Sequence, residues 1–370
     1  MPRVFDHTDF RHRARFGALD GLRFFCIAAV LLHHMPGAYE LGEKYLFLSR
    51  GFLGVDFFFV LSGFLITSLL LREKDRTGRI SLRGFYWRRA LRILPLYLLV
   101  VTLMVVVFAG VKADPLAREI WPYYYVFLAN FLVGDIANLG PMWSLSVEEQ
   151  YYMLWPLLVV VLPLRWLLPA VGLLIVAILT GVLGGFGLPP ITLDHLVFAI
   201  QPGYVAILLG SGLAILLHSA TGFALLARGV GHRWSVVPLV VLLIILLLIF
   251  PRDLAGWPQF ILHLVMALIL GSIVIREDHV AMAVLAFRPI ARIGKISYGV
   301  YLLHLLGLYL ASESLPMLGQ ASDGIVHIGL YLILSWVLAE ISFRTYERYF
   351  LSLRHKRLPG VSLNPRGDPS

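Results

Sequence analysis

Charged residues and cysteine are the two scarce components of this 370-residue chain. Only 14% of the residues are charged, against about a quarter in a soluble domain, and 59% are hydrophobic. The single cysteine, Cys26, excludes a disulfide within the chain and a metal cluster built from cysteines, and its apolar surroundings favour a packing role. A chain this poor in charge is predicted to be an integral membrane protein.

Long apolar runs recur along the whole chain, and their length indicates helices rather than the strands of a barrel. They predict an all-α, polytopic transmembrane bundle of about ten spanning helices. A shorter segment at 121–134, which contains WPYYYVFLANFLV, is rich in interfacial aromatics and is predicted to be a re-entrant or interfacial helix. The ten predicted spans are 20–36, 51–71, 93–111, 143–163, 170–187, 196–218, 235–250, 259–276, 296–312 and 325–343.

The net charge of +9 comes from short basic clusters between the apolar runs, which is the pattern of cytoplasmic loops and not of a nucleic-acid-binding surface. If segment 121–134 does not cross, these clusters and both termini all fall on the cytoplasmic side. We therefore expect a cytoplasmic segment at 1–19 that precedes a retained signal anchor, a membrane domain at 20–350, and a disordered cytoplasmic tail at 351–370.

The first apolar run, LDGLRFFCIAAVLLHH, carries a cation near one end and an imidazole at the other. Arg23 and His34 are eleven positions apart, which is about three helical turns, so they share one face and lie about 16 Å apart along it. The predicted orientation places Arg23 near the cytoplasmic surface and His34 near the outer surface. His33 points away from that face.

Three carboxylates are predicted to lie at the same depth as His34. They are Asp56 in the second span, and Glu148 and Glu149 in the fourth. Ionisable groups inside a membrane are costly and normally mark a functional path, and an imidazole beside a carboxylate is the usual general base for a hydroxyl. Asp56 could instead stabilise the first turn of its helix, and adjacent glutamates diverge by about 100°, so Glu148 and Glu149 cannot both face one cavity centre.

A cluster of arginines, Arg88, Arg89 and Arg92, precedes the third span in FYWRRALRILPLY. Arginine forks bind phosphates in a bidentate manner, and Arg23 is predicted to lie at the same level. The cluster therefore indicates an anion site, although an ordinary cytoplasmic anchor would look the same.

Several further polar residues are weaker candidates. Tyr298 and His304 lie in the ninth span, where a histidine bonded across helices is a common structural feature. Ser62, Ser144 and Ser146 are candidates for donating a hydrogen bond to an oxyanion. No residue pattern indicates a metal site.

These motifs together resemble the acyltransferase-3 family of membrane O-acyltransferases. The resemblance runs from LDGLRFFCIAAVLLHH through GVDFFFVLSGFLIT, FYWRRALRILPLY and WSLSVEEQYYMLWPL to ISYGVYLLHL. It implies a cytoplasmic acyl-CoA donor, with acetyl-CoA as the expected one, a catalytic role for His34, and recognition of the donor by Arg23 and the arginine motif. It also implies use of the acidic residues of WSLSVEEQ. Some relatives carry an added extracytoplasmic esterase-like domain, which we do not find in this chain.

The predicted function is transfer of an acyl group from acyl-CoA to a hydroxyl of a sugar or glycan, by an enzyme of the bacterial inner membrane. His34 could deprotonate the acceptor for direct attack, or accept the acyl group and pass it on. An acyltransferase for a lipid or a small hydroxylated metabolite is the main alternative. A transporter also places charges in the membrane, but it usually shows inverted repeats, which we do not find.

Overall fold

The computed structural model describes residues 6–13, 16–187, 189–199, 201–317 and 324–354, and helices dominate them. Residues 355–370 of the predicted tail lie outside the described residues. Two segments, Val106–Val111 and Phe343–Glu347, are π-helical, and Ala129–Phe131 is a 3-10 turn. The α-helices are α1 (His7–His12), α2 (Leu19–His34), α3 (Ala38–Lys44), α4 (Leu46–Ser49), α5 (Leu53–Thr77), α6 (Leu82–Val105), α7 (Pro115–Tyr125), α8 (Met142–Val161), α9 (Leu164–Val182), α10 (Gly203–His218), α11 (Ala220–Val230), α12 (Val236–Ile249), α13 (Trp257–Ile275), α14 (Met282–Leu285), α15 (Arg288–Lys295), α16 (Ser297–Met317), α17 (Gly324–Ser342) and α18 (Arg348–Leu353).

Several helices are long and apolar enough to cross a membrane. Six meet both criteria among the described residues, and the number rises to eight if each of two sharply bent helix pairs counts as one span. The bent pairs are α2 with α3, at 101°, and α10 with α11, at 110°. Each of the ten predicted spans coincides with a helix, although α12 has only 14 residues. The predicted architecture, dominated by helices of which several can span a membrane, is therefore confirmed, whereas the number of spans stays a prediction.

The sixth span begins later than predicted, at Gly203 rather than at residue 196. Residues Ile191–Leu193 (β1) and Leu196–Phe198 (β2) pair instead as an antiparallel hairpin. Asp194 takes the left-handed backbone conformation at its turn, with a φ of 46°, which Asp tolerates better than most residues. Hydropathy alone could not separate these apolar strand residues from the helix that follows them.

The aromatic segment at 121–134 contains the end of a short helix and a turn. Helix α7 begins at Pro115, where the side chain of Asp114 accepts a hydrogen bond of 2.7 Å from the backbone N–H of Ala117. The helix ends at Tyr125, after 11 residues. That length corresponds to about 16 Å, half the thickness of a hydrocarbon core, so this segment does not cross as one continuous helix.

The chain divides into two compact units, each formed by two stretches of sequence. Unit 1 contains the chain up to Gly78 and the stretch Leu158–Ser297, whereas unit 2 contains Arg79–Leu157 and the chain from Tyr298 onward. The predicted site residues Arg23, His34 and Asp56 belong to unit 1. The arginine cluster and both glutamates belong to unit 2.

Helix α5 forms the centre of unit 1, and glycines allow it to pack closely against α10. A Cβ atom added to Gly63 would collide with the backbone carbonyl of Ile207, and one added to Gly210 would collide with that of Val60. Small residues of this kind let two helix backbones approach within a membrane.

Helix α2 is held in unit 1 by two other glycine contacts. Gly54 of α5 lies against the backbone carbonyl of Cys26, and Gly294 of α15 lies against that of Asp20. The contacts fix the middle and the first turn of α2, respectively. The helix that carries Arg23 and His34 is therefore positioned by backbone contacts on two sides.

Unit 2 is built around α6, which contains Pro95 and continues into the π-helical segment. The hydroxyl of Tyr97 donates a hydrogen bond of 2.7 Å to the carbonyl of Tyr124, and the hydroxyl of Tyr124 accepts one of 3.0 Å from the N–H of Ile136. These buried tyrosines join α6, α7 and the loop that leads to α8.

Candidate active site

Arg23 and His34 lie on one stripe of α2, as the spacing predicts. Eleven positions place them about 20° apart around the helix axis. The Arg23 guanidinium forms an ion pair with Asp20, with 2.7 Å between Nη1 and Oδ1. Because Asp20 is one turn earlier on the same helix, this pair fixes the arginine at the start of the stripe.

The stripe points away from the exposed side of α2. Phe25 and Leu32 are 46% and 39% exposed. Each is two positions from a stripe residue, Phe25 after Arg23 and Leu32 before His34, so each projects about 160° away from it. The hydrophobic side chains that suit contact with lipid are thus on the opposite side of the helix from the cation and the imidazole.

The His34 ring is oriented by its own helix. Its Nδ1 lies 3.0 Å from the carbonyl oxygen of Val30. Because a carbonyl oxygen can only accept a hydrogen bond, Nδ1 carries the proton and Nε2 is the basic nitrogen. The neighbouring His33 projects about 100° away and contacts the ring of Phe52, with 5.9 Å between the centroids. His34 is therefore held as the tautomer that a proton acceptor requires.

Asp56 is almost completely buried in unit 1, and its partners are on α13. Its Oδ2 accepts hydrogen bonds from Nε2 of His263, at 2.9 Å, and from Nε2 of Gln259, at 3.1 Å. Asp56 is 3% exposed and His263 is 1% exposed. Nδ1 of His263 has no hydrogen-bond partner among the described residues, which costs about 1–3 kcal/mol for a buried polar group.

His263 and Gln259 were not predicted as site residues from the sequence. Their spacing of four places them on one face of an apolar helix, and the segment QFILH carries that signal. Their partner Asp56 is 207 positions from His263 in the chain, so the local pattern does not identify it.

The arginine cluster of unit 2 lies in the first turns of α6. The helix begins after Ser81, whose side chain accepts a hydrogen bond of 3.2 Å from the N–H of Gly84. Arg88 and Arg89 are half-buried, and Arg92 is exposed. The Arg89 guanidinium lies over the ring of Tyr152, 4.5 Å from its centroid, which fixes one member of the cluster against α8.

The structure distinguishes the two adjacent glutamates of α8. Oε1 of Glu149 is buried and has no hydrogen-bond partner among the described residues. Arg89 supplies an attractive charge to Glu149, and Glu148 supplies a repulsive one. A buried carboxylate oxygen that no protein group satisfies is a good candidate for contact with a substrate or a transferred proton.

The weaker candidates of unit 2 have assigned hydrogen bonds. The hydroxyl of Tyr298 donates to the carbonyl of Ile93 at 2.6 Å, and Nδ1 of His304 donates to the carbonyl of Tyr301 at 2.6 Å. The hydroxyl of Ser146 donates back to its own helix, at the carbonyl of Met142. These contacts give the three side chains a role in joining or shaping helices.

Two other serines were predicted as oxyanion donors. Ser144 lies 2.6 Å from the hydroxyl of Tyr301 and 3.0 Å from the carbonyl of Pro141, to which it donates. Ser62 is half-buried on α5 in unit 1. No group of three or more histidine, cysteine or acidic side chains that could hold a metal ion is found in the part of the chain that the structure describes.

Comparison with known proteins confirms the family predicted from the motifs. The family model Acyl_transf_3, described as an acyltransferase domain, matches residues 16–341. The chain is 27% identical over 360 residues to the peptidoglycan O-acetyltransferase OatA of Listeria monocytogenes, an alignment that covers 89% of this chain and 55% of the relative. It is 28% identical over 365 residues to the putative peptidoglycan O-acetyltransferase YrhL of Bacillus subtilis, with 91% and 55% covered.

A putative O-acetyltransferase of Staphylococcus aureus is 37% identical over 169 residues, which cover 42% of this chain and 26% of that protein. The chain spans about half the length of the first two relatives. No solved structure matches it. Because the family model covers most of the chain, the chain belongs to the Acyl_transf_3 family of acyltransferase domains, and several of its helices are long and apolar enough to span a membrane.

Proposed function

We propose that this protein transfers an acetyl group from cytoplasmic acyl-CoA to a hydroxyl of a cell-envelope glycan. The observation that carries the proposal is the stripe of α2, where Arg23 and His34 share one face opposite the exposed side chains. The names of two relatives, the peptidoglycan O-acetyltransferase OatA and the putative peptidoglycan O-acetyltransferase YrhL, favour a glycan acceptor.

In this proposal the enzyme resides in the bacterial inner membrane with ten crossings and both termini in the cytoplasm. Guanidinium groups bind the phosphates of the donor, because they pair with phosphate oxygens through two parallel hydrogen bonds. The groups that we assign to this role are Arg23 in unit 1 and the arginine motif Arg88, Arg89 and Arg92 in unit 2. The acyl thioester then extends towards His34, about 16 Å along the helix from Arg23.

His34 acts as the base in this reaction. Its Nε2 removes the proton from the acceptor hydroxyl, the oxygen attacks the thioester carbonyl, and the carbon–sulfur bond breaks to give an ester and the coenzyme A thiolate. The proton passes from His34 to the thiolate. In the stepwise version, Nε2 attacks the thioester first, and the carbon–sulfur bond breaks to release the coenzyme A thiolate and leave an acyl-imidazolium on His34. The acceptor hydroxyl then attacks the acyl carbon, the carbon–nitrogen bond breaks, and the hydroxyl proton passes to the thiolate. In unit 2, Glu149 is the carboxylate that we assign to this reaction.

The test is acyl transfer by the purified protein with two neighbouring histidines exchanged in turn. His34→Ala is expected to lower the rate of coenzyme A release by about 10²–10⁴-fold, the usual contribution of a positioned base. His33→Ala is the matched control, since it removes an imidazole from the same turn but from another face. The assay supplies acetyl-CoA and soluble peptidoglycan fragments, and measures free coenzyme A and ester formation by mass spectrometry.

Two results would contradict the proposal. One is a wild-type protein that neither consumes acetyl-CoA nor acylates any glycan fragment. The other is a His34→Ala variant with wild-type turnover, or a loss of the same size in His33→Ala. Thermal unfolding of each variant separates a loss of catalysis from a loss of folded protein.

A further inference from the structure

The partners of Asp56 raise the question of how this carboxylate contributes to the reaction. It bonds to His263 and Gln259, and we call these three residues the Asp56 clasp. The two α13 residues are four positions apart, so both reach the same oxygen from one helix face. The clasp therefore joins the first turn of α5 to α13.

The direction of Asp56 on α5 follows from the neighbouring glycines. Gly54 packs against α2, and Asp56 is two positions later, so it projects about 160° away from that contact. Gly63, seven positions after Asp56 and therefore on nearly the same face, packs against α10. Asp56 thus lies on the α10 and α13 side of α5, and the side facing α2 is occupied by glycine.

The opposite side of the same part of α5 holds the end of α2. Gly51, just before α5, lies against the carbonyl of Ala29 and the Cβ of His33, and Gly54 lies against Cys26. These contacts run from the middle of α2 to its last turn, which carries His34. A shift of this part of α5 would therefore move the turns of α2 that hold His34.

We propose that Asp56 is a positioning residue that acts through His263 and Gln259. In this proposal, the clasp fixes the first turn of α5, and α2, which carries His34, packs against that turn. This inference rests on the proposed function, because it takes His34 as the group that reacts. It replaces the role expected from depth alone, in which Asp56 is the direct chemical partner of His34.

The hydrogen bonds of the clasp support a positioning role. Among the described residues, Nδ1 of His263 has no hydrogen-bond partner, so Asp56 supplies the bond that orients the ring. Gln259 donates to the same carboxylate oxygen. Removal of either Asp56 or His263 should therefore release the same contact between α5 and α13.

The experiment compares Asp56→Ala, Asp56→Asn and His263→Leu with the double variant Asp56→Ala/His263→Leu. Asp56→Ala and His263→Leu are each expected to lower kcat by a similar factor, up to about 10²-fold, because a displacement of 1 Å at a reacting group can cost that much. The double variant should be no worse than the single ones, as for residues that act as a unit. Asp56→Asn keeps a carbonyl oxygen that can accept the hydrogen bonds from His263 and Gln259. This variant should therefore keep most of the wild-type kcat, with an unchanged pH profile and an unchanged KM for acetyl-CoA.

Cys26 supplies a second readout that is independent of turnover. It is the only cysteine of the chain, it is buried, and its carbonyl is the group that Gly54 contacts. Asp56→Ala and His263→Leu should both accelerate its reaction with a maleimide, and Asp56→Asn should not. His327→Leu is the control, since it removes a buried histidine that bonds to Ser312 in unit 2.

The outcomes separate this inference from the proposed function. If the wild-type protein shows no acyl transfer, the proposed function fails, and the labelling of Cys26 still tests the clasp. A His263→Leu variant with wild-type kcat and wild-type labelling would overturn the inference. So would an Asp56→Asn variant as inactive as His34→Ala, because that result would make the charge of Asp56 part of the chemistry.

Discussion

A single methyl group at Gly54 should test whether the position of α2 controls catalysis. In Gly54→Ala, the new Cβ would lie 3.2 Å from both the Cβ of Ala29 and Cγ2 of Val30, and would collide with the backbone carbonyl of Cys26. The carbonyl cannot rotate away as a flexible side chain could. The two helices must therefore separate, by about 1 Å to reach an ordinary contact between heavy atoms.

The expected magnitudes favour a loss of activity over a loss of stability. Alanine gains about 1 kcal/mol over glycine in helix propensity, and overpacking costs about 1–3 kcal/mol, so the net effect on the free energy of unfolding is small. A displacement of about 1 Å at a reacting group costs about 10²-fold in rate, which corresponds to about 2.7 kcal/mol in the activation barrier. We therefore expect kcat to fall by about 10²-fold while the protein remains folded.

The assay measures the kcat of coenzyme A release together with the apparent temperature of unfolding in the same detergent. Gly172→Ala in α9 is the matched control, because among the described residues no heavy atom beyond its chain neighbours and its own helix backbone lies within 4 Å of a Cβ built at that glycine. It should keep wild-type kcat and gain about 0.5–1 kcal/mol in stability. A Gly54→Ala protein with wild-type kcat would refute the claim that this contact sets the position of His34.

The main features of the fold could be predicted because they depend on local patterns. An apolar run of sufficient length predicts a spanning helix wherever it occurs, and the helices follow the predicted spans. The boundary at 196–203 was missed because the strand residues Leu196–Phe198 are as apolar as the helix after them. The glycine contacts that hold α5 against α2 and α10 depend on which helices meet, and periodicity does not contain that information.

The site was predictable to the extent that it lies on one helix. The separation of Arg23 and His34 fixes their common face, and the exposed side chains of α2 agree with it. The partners of Asp56 could not be predicted in the same way, because depth in the membrane gives a level but no direction around the helix axis. Depth favoured His34 as its neighbour, whereas the geometry pairs Asp56 with His263.

The two remaining predictions concern unit 2. Arg88→Ala combined with Arg92→Ala should raise KM for acetyl-CoA by about tenfold or more, since hydrogen bonds to charged groups contribute about 1.5–3 kcal/mol each. An acetyl-pantetheine donor, which lacks phosphates, should show no such change, and neither should Arg83→Ala; equal effects on both donors would contradict a phosphate site. Glu149→Gln should lower kcat by about tenfold or more through loss of the buried carboxyl group, with little change in KM. Glu148→Gln should have the smaller effect, because adjacent residues diverge by about 100° and the two side chains face different surroundings. Glu149 is the one with a buried oxygen that has no hydrogen-bond partner among the described residues. If Glu148→Gln proves the more damaging of the two, the assignment of Glu149 is wrong, and the other face of α8 carries the carboxylate that the reaction uses.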